Sequence, residues 1–210
     1  VYMQLKQDAD GHDLDPADPD NWTVPTPIYR NDASLLNGNK QLAATASGGV
    51  GMSLDMTYFQ DADGRSYYAW QQLGATYIAT MDPKDPAHVT SSPVRIVTPE
   101  YAWNAAIAEG PNVTLRDGKL YLMFSGSGVG KTYTTGLAVA DASGTDLTDP
   151  ASWTVLNYPI QKSGPFNGEM QLGTGHGMWS EDEDGNQIYV FHALSLIHIS
   201  EPTRLDVISY

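Results

Sequence analysis

Three titratable side chains stand nine residues ahead of a turn glycine: Asp55 before Gly64, Glu109 before Gly118 and His176 before Gly185. Two carboxyls and an imidazole are groups that carry general acid–base chemistry. A carboxyl pair divides that work when the surroundings push the two pKa values apart, so that one donates a proton while the other stays ionised. Glu109 suits the donor's part. It follows the apolar run Ala106-Ile107-Ala108 and precedes Gly110-Pro111, where glycine permits a close backbone approach and proline fixes the exit. Asp55, in Met52-Ser53-Leu54-Asp55-Met56-Thr57, is the neighbour that raises the donor's pKa, its plainer alternative being a strand-start cap. His176 lies between Gly175 and Gly177. A lone histidine is as often a structural hydrogen-bonding group; its chemical reading is a hydrogen bond or a water-mediated cation site, since one imidazole cannot hold a metal alone. His192, near a strand end, is read as packing.

These three positions converge only if the chain repeats in space as it does in sequence, and repeats are present in two registers. Asp63-Gly64, Asp117-Gly118 and Asp184-Gly185 each precede an alternating aromatic segment, the short-range signature of a tight β-hairpin. Asp18-Pro19 with Trp22-Thr23, Asp85-Pro86 with Val89-Thr90, and Asp149-Pro150 with Trp153-Thr154 recur at spacings of 67 and 64 residues. A period of that length holding a hairpin, further strands and an Asp-Pro turn predicts one four-stranded propeller blade per repeat. The blades are expected from Gly51 to Thr90, from Ala108 to Thr154 and from Gly173 onward, with Val1 to Thr23 as the tail of an earlier one. The first strand of each blade lines the central channel, which would bring Asp55, Glu109 and His176 to one axial pocket. Trp70, Trp103 and Trp179 fall near the same strand starts and offer flat faces on which a sugar ring stacks, although blade cores also consume large aromatics. Trp103, in Glu100-Tyr101-Ala102-Trp103-Asn104 just ahead of the Glu109 strand, is the leading platform.

Charge and composition narrow the partners. Eleven Lys and Arg against 25 Asp and Glu leave a net charge of −14, a field that opposes phosphate backbones and anionic membranes. Nucleic acid is therefore not an expected partner, and a neutral carbohydrate is compatible. No apolar run approaches the ~18 residues of a membrane span and the acidic start is unlike a signal peptide. The absence of Cys removes disulfides, thiolate metal sites and a cysteine nucleophile. Ser125-Gly126-Ser127-Gly128-Val129-Gly130-Lys131-Thr132 nearly spells a phosphate loop, but its leading glycine is replaced and a strand pattern follows where a helix is needed. Asp8-Ala9-Asp10-Gly11 and Asp61-Ala62-Asp63-Gly64 lack the third ligand and closing Glu of a calcium loop, and are read as hairpin turns. Nothing in the residues specifies an oligomer.

The chain opens on Val1 and is read as part of a longer protein. Leu194-Ser195-Leu196-Ile197-His198-Ile199-Ser200-Glu201-Pro202-Thr203-Arg204 resembles the translated frame of a sequencing-library adapter. Residues 194–210 are accordingly set apart from the propeller of residues 1–193, and no role is expected of His198 or Glu201.

Taken in order, Ser53-Leu54-Asp55-Met56-Thr57-Tyr58-Phe59, Tyr77-Ile78-Ala79-Thr80-Met81, Pro99-Glu100-Tyr101-Ala102-Trp103, Ala108-Glu109-Gly110-Pro111, Asp149-Pro150-Ala151-Ser152-Trp153, Gly173-Thr174-Gly175-His176 and Val190-Phe191-His192-Ala193 resemble glycoside hydrolase family 43, the five-bladed propeller arabinofuranosidases and xylosidases. The resemblance implies an all-β, five-bladed β-propeller of which about three blades are present. It also implies an inverting mechanism with Glu109 as general acid, Asp55 orienting it and raising its pKa, and His176 as the channel histidine that helps hold a central cation or water. No cofactor is required, and a structural calcium in the channel is compatible. The family's general base, an Asp on the first blade, has no counterpart among these residues, so the chain taken alone is expected to lack turnover. The exo-acting arabinofuranosidase branch is indicated by the Pro99 to Trp103 and Gly173 to His176 segments. A β-xylosidase is the second reading and a sugar-binding propeller without chemistry the third. The fructan-cleaving propellers carry Arg-Asp-Pro and Glu-Cys motifs that are absent here. A secreted or periplasmic location is expected, with a cytoplasmic one left open.

Overall fold

Asp61 shows how one repeat folds. Its buried carboxylate accepts the backbone N–H groups of Asp63 and Arg65, the Arg65 Nε–H at 2.7 Å and the Tyr67 hydroxyl at 3.1 Å. It thereby closes the turn between strand β1 (Ser53–Gln60) and strand β2 (Ser66–Gln72). Burial, followed by the Asp61 charge, pushes the Tyr67 phenol up to about 12. Asp8 accepts the N–H groups of Asp10 and His12 in the same way, and Asp182 those of Asp184 and Asn186. The Asp-x-Asp-Gly segments are thus side-chain-braced hairpins, as their sequence implied. At Asp117-Gly118 the turn has two residues with φ of 49° and 73°, the paired positive angles of a type I′ hairpin.

The computed structural model describes residues 1–36, 53–166 and 168–195. They form an all-β fold of three antiparallel sheets. In the first, β1, β2, β3 (Ala75–Asp82) and β4 (Asp85–Val89) lie in order, and β5 (Val94–Val97) also pairs with β3. The second is β6 (Ala108–Arg116), β7 (Lys119–Gly126), β8 (Thr134–Asp141) and β9 (Thr154–Val155), in order. The third is β10 (Gly164–Phe166), β11 (Glu169–Glu181) and β12 (Gln187–Ser195). Strand β6 packs against both β1 and β11, so the leading long strand of each sheet stands beside its counterparts, the arrangement of successive propeller blades around a channel. The bridges Tyr2 to Thr26 and Leu5 to Trp22 make residues 1–36 a ribbon ahead of the first full sheet, and Tyr29 bridges to His88 in β4.

Two of the three Asp-Pro repeats are the same object. Asp18 and Asp149 each cap a short 3-10 helix with proline at its start, and the indole N–H groups of Trp22 and Trp153 donate to the carbonyls of Pro16 and Leu147. The middle repeat differs: Asp85-Pro86 opens strand β4, and Asp85 turns its carboxylate to His88 instead. The first blade also runs past Thr90 to Val97, and the third begins before Gly173, at Gly164. Gly51 lies outside the described residues. The boundary expected after Ala193 falls inside β12, where Leu194 faces Leu172 and Ser195 faces Gln171; residues 196–210 lie outside the described part.

One core joins the first two blades, with Phe59, Tyr67 and Ile78 meeting Leu120, Leu122, Phe124 and Trp153. A second holds Ile28 and Leu36 of the N-terminal ribbon against Trp70, Met81 and Val89. Each such side chain contributes ~1.5–3 kcal/mol by leaving water, and the two cores keep the inner strands in fixed relation. Among the described residues no helix is long and apolar enough to cross a membrane.

Candidate active site

The inner strands share one irregularity at one level. Register breaks between Leu54 and Thr57 in β1, between Glu109 and Asn112 in β6, and between Gly175 and Met178 in β11. Each break contains a residue with positive φ: Asp55 at 56°, Gly110 at 58° and His176 at 47°. An extra residue in one strand re-aims the side chains around it, and here it does so where the strands face the channel. The left-handed conformation costs a residue with a Cβ about 1–2 kcal/mol. Asp55 and His176 bear that cost within contacts that hold them there.

Those contacts link the three blades. The Gly110 N–H donates to Asp55 Oδ2 at 3.2 Å, so the carboxylate on one blade pins the backbone that carries Glu109 on the next. His176 Nε2 stands 3.8 Å from Asp55 Oδ1. The His176 N–H donates to Ser125 Oγ at 2.6 Å, and Ser125 faces Glu109 across the β6–β7 pair. Between them rises Tyr133, which the sequence reading did not single out. Its hydroxyl donates to Glu109 Oε1 at 2.6 Å and lies 3.3 Å from His176 Nδ1. Burial first, and then the bond to Glu109, push the Tyr133 phenol far above its ordinary pKa, so at neutral pH it is a hydrogen-bond donor. Asp55 keeps 23% of its side chain in solvent and His176 49%: the cluster opens to the channel.

A model of the family described as glycosyl hydrolases family 43 matches residues 39–209. This chain belongs to that family. It is similar to an extracellular exo-α-(1→5)-L-arabinofuranosidase of Streptomyces chartreusis, at 33% identity over 153 residues, which are 67% of this chain and 44% of the relative. It is similar also to α-L-arabinofuranosidase 43 of Humicola insolens, at 32% identity over 152 residues, covering 67% of this chain and 30% of the relative. The crystal structure of an α-L-arabinofuranosidase from Lactobacillus brevis matches with a TM-score of 0.66 at 26% identity, over 93% of this chain and 60% of that one. The chain spans less than half the length of the curated relatives it matches.

In this family 43 chain the predicted residues divide. Asp55, Glu109 and His176 come together, as the nine-residue spacing implied. Trp103 stands on a short 3-10 helix (Ala102–Asn104) ahead of β6, with its indole N–H on the Asn157 carbonyl and its face beside Tyr101 and Phe124. It also lines a cleft next to Tyr133. Trp70 does not serve as a platform. It is 0% exposed, stacked on Tyr77 within the second core, and a buried indole presents no face to a sugar. Trp179 is used between blades: its N–H groups donate to Asn112 Oδ1 and to the Tyr121 carbonyl of the second sheet, and its ring packs on Tyr189. His192 packs against the Tyr133 ring at 5.5 Å. Burial, and then the nearby His176, push its pKa down.

The fit of these residues to a calcium ion can be tested on the donors. Calcium takes six to eight oxygens, whereas Asp55 Oδ2 and Glu109 Oε1 are already engaged by Gly110 and Tyr133. Among the described residues, only Asp8, Asp10 and His12 on an exposed N-terminal turn bring three ligand atoms within 4.8 Å of one another. The described channel groups therefore offer no cluster of three direct ligand atoms, and the chemistry of Glu109 is derived without a metal.

Proposed function

We propose that the protein of which this chain is part is an inverting glycoside hydrolase that removes α-L-arabinofuranosyl units from arabinose-containing plant polysaccharides or oligosaccharides. The observation that carries this reading is the bond from the Gly110 N–H to Asp55, which sets two carboxyl side chains of adjacent blades at one channel-facing level. Arabinofuranosidase relatives support the sugar, and the extracellular description of two of them supports secretion.

Glu109 is the general acid. Tyr133 occupies Oε1, which leaves Oε2 to carry the proton delivered to the leaving oxygen. As that proton departs, negative charge grows on the carboxyl, and a hydrogen bond to an ion is about twice as strong as one to a neutral group. The Tyr133 bond thus strengthens along the reaction coordinate, the condition for lowering a barrier. Asp55 acts through the backbone, holding Gly110 and with it the direction of Glu109. In an inverting reaction a second carboxylate activates water from the opposite face of the ring, ~6.5–9.5 Å from the acid; with Asp55 engaged in positioning, that role is assigned to a carboxylate on another blade.

The test is hydrolysis of aryl α-L-arabinofuranoside, aryl β-xyloside and aryl β-fructofuranoside by the full-length protein, with the first-formed anomer read by NMR. Release of arabinose with inversion is the expected result. Faster release of xylose would replace the substrate by a xyloside, and sugar binding without turnover would replace the enzyme by a binding propeller. Tyr133→Phe keeps the ring on His192 but removes the hydroxyl. With a bond to a charged group worth ~1.5–3 kcal/mol, kcat is expected to fall about 10- to 100-fold with KM nearly unchanged. An unaltered kcat would remove Tyr133 from the mechanism.

A further inference from the structure

The glycine-rich segment that resembles a phosphate loop forms part of a wall beside the active site. A cleft of 330 Å³ lies against Tyr133, lined among others by Trp103, Ser127, Lys131, Thr132, Lys162 and Ser163. Its level is set by strand register. Glu109 faces Ser125 across β6–β7, and Ser125 faces Thr135 across β7–β8, so the connection between β7 and β8 that carries Lys131 begins one residue pair beyond the acid. Ser163 Oγ donates to the Lys131 carbonyl at 2.7 Å and accepts the Gly173 N–H at 2.8 Å. One hydroxyl therefore ties the Lys131 loop, the Lys162-Ser163 segment and the third blade together. A Cβ at Gly173 would collide with the Gly130 carbonyl oxygen, which leaves this junction little room to slide.

The charge of this wall is unusual for the molecule. The chain carries only 11 Lys and Arg and a net charge of −14, yet two lysines line one small cleft. The ion pairs of the described residues use Arg65, Arg116, Lys119 and histidines as cations, not Lys131 or Lys162. Both lysines are exposed, so the cleft offers two positive side chains to an incoming anion. The partly exposed Trp103 edge and several hydroxyls beside them suit a sugar ring, and the two lysines suit a carboxylate on it. We infer that this cleft binds the leaving-group side of the substrate and selects an acidic sugar, a uronate, next to the bond that is cut. The inference rests on the reading of Glu109 as the acid for its place in the reaction; the binding it claims is measurable apart from turnover.

The experiment uses the full-length protein and paired arabinofuranosyl oligosaccharides that differ only in whether the sugar bearing the arabinose is neutral or carries a carboxylate. Affinity is read by calorimetry at two salt concentrations, and kcat/KM where turnover occurs. The acidic oligosaccharide is expected to bind about tenfold more tightly at low salt, with the advantage shrinking as salt rises. The double substitution Lys131→Ala with Lys162→Ala is expected to reduce that ratio to about one, and Lys131→Arg with Lys162→Arg to keep it. Equal affinity for the two oligosaccharides, or a preference that survives removal of both lysines, would overturn the inference whether or not the protein hydrolyses either. Preferential binding without any hydrolysis would leave the acidic-sugar site standing and overturn its assignment to a leaving group.

Discussion

Glu109→Gln is expected to reduce kcat of the full-length protein about a thousandfold on arabino-oligosaccharides, within the 10²–10⁴ that a positioned general acid supplies. On an aryl arabinofuranoside whose phenol is already a strong acid, the loss should be far smaller, because such a leaving group departs without a proton. The two substrates separate chemistry from structure. The glutamine amide oxygen can still accept the Tyr133 hydroxyl that now reaches Oε1 at 2.6 Å, so the fold should be kept and the thermal midpoint should move by no more than a few degrees. An equal loss on both substrates would make Glu109 a structural residue, and no loss on either would remove it from the site.

Trp70→Ala is expected to cost ~3–5 kcal/mol, the range for emptying a large aromatic from a core, and to lower the thermal midpoint by about 10 °C in a domain of this size. Trp70 is 0% exposed, stacks on Tyr77 with centroids 6.3 Å apart and directs its N–H to Gln72 Oε1 at 3.3 Å. The Ala substitution removes both contacts and leaves a void between the first sheet and the N-terminal ribbon. Trp70→Phe should lose roughly half as much, since a ring remains. KM of the protein that stays folded should not change. A raised KM with an unchanged midpoint would return Trp70 to the sugar site.

The contrast between Trp70 and Trp103 shows what a linear sequence discloses. All seven residues of β2 are buried, so the strand has no polar-apolar alternation from which an inner or outer face could be read. The place of Trp103 ahead of the Glu109 strand was legible because Tyr101, Ala102 and Asn104 around it read as a break between strands, and a short 3-10 helix stands there. The hairpins were legible for a local reason: the Asp61 and Asp182 carboxylates bond N–H groups two and four residues on. The Asp55, Glu109 and His176 level was legible because the hairpins set the phase of each inner strand. Tyr133 was not, since it stands in the connection just ahead of β8 and meets Glu109 from 24 residues away; a tyrosine between threonines carries no mark of that. The Asp85-Pro86 repeat misled for the opposite reason, a turn-like dipeptide drawn into strand pairing by β3.

The bonds between blades also bear on how the protein is made. Each hairpin closes within a few residues and can form as soon as its own strands leave the ribosome, the low-contact-order case that folds quickly. The bond from Gly110 to Asp55 spans 55 residues and that between Tyr133 and His176 spans 43. During synthesis from the N-terminus, the first two sheets are translated in full before His176 exists. The contacts of His176 therefore form only after the first two sheets are made, and a chain whose synthesis stops after Val155 would hold two completed sheets and an acid still waiting for its imidazole.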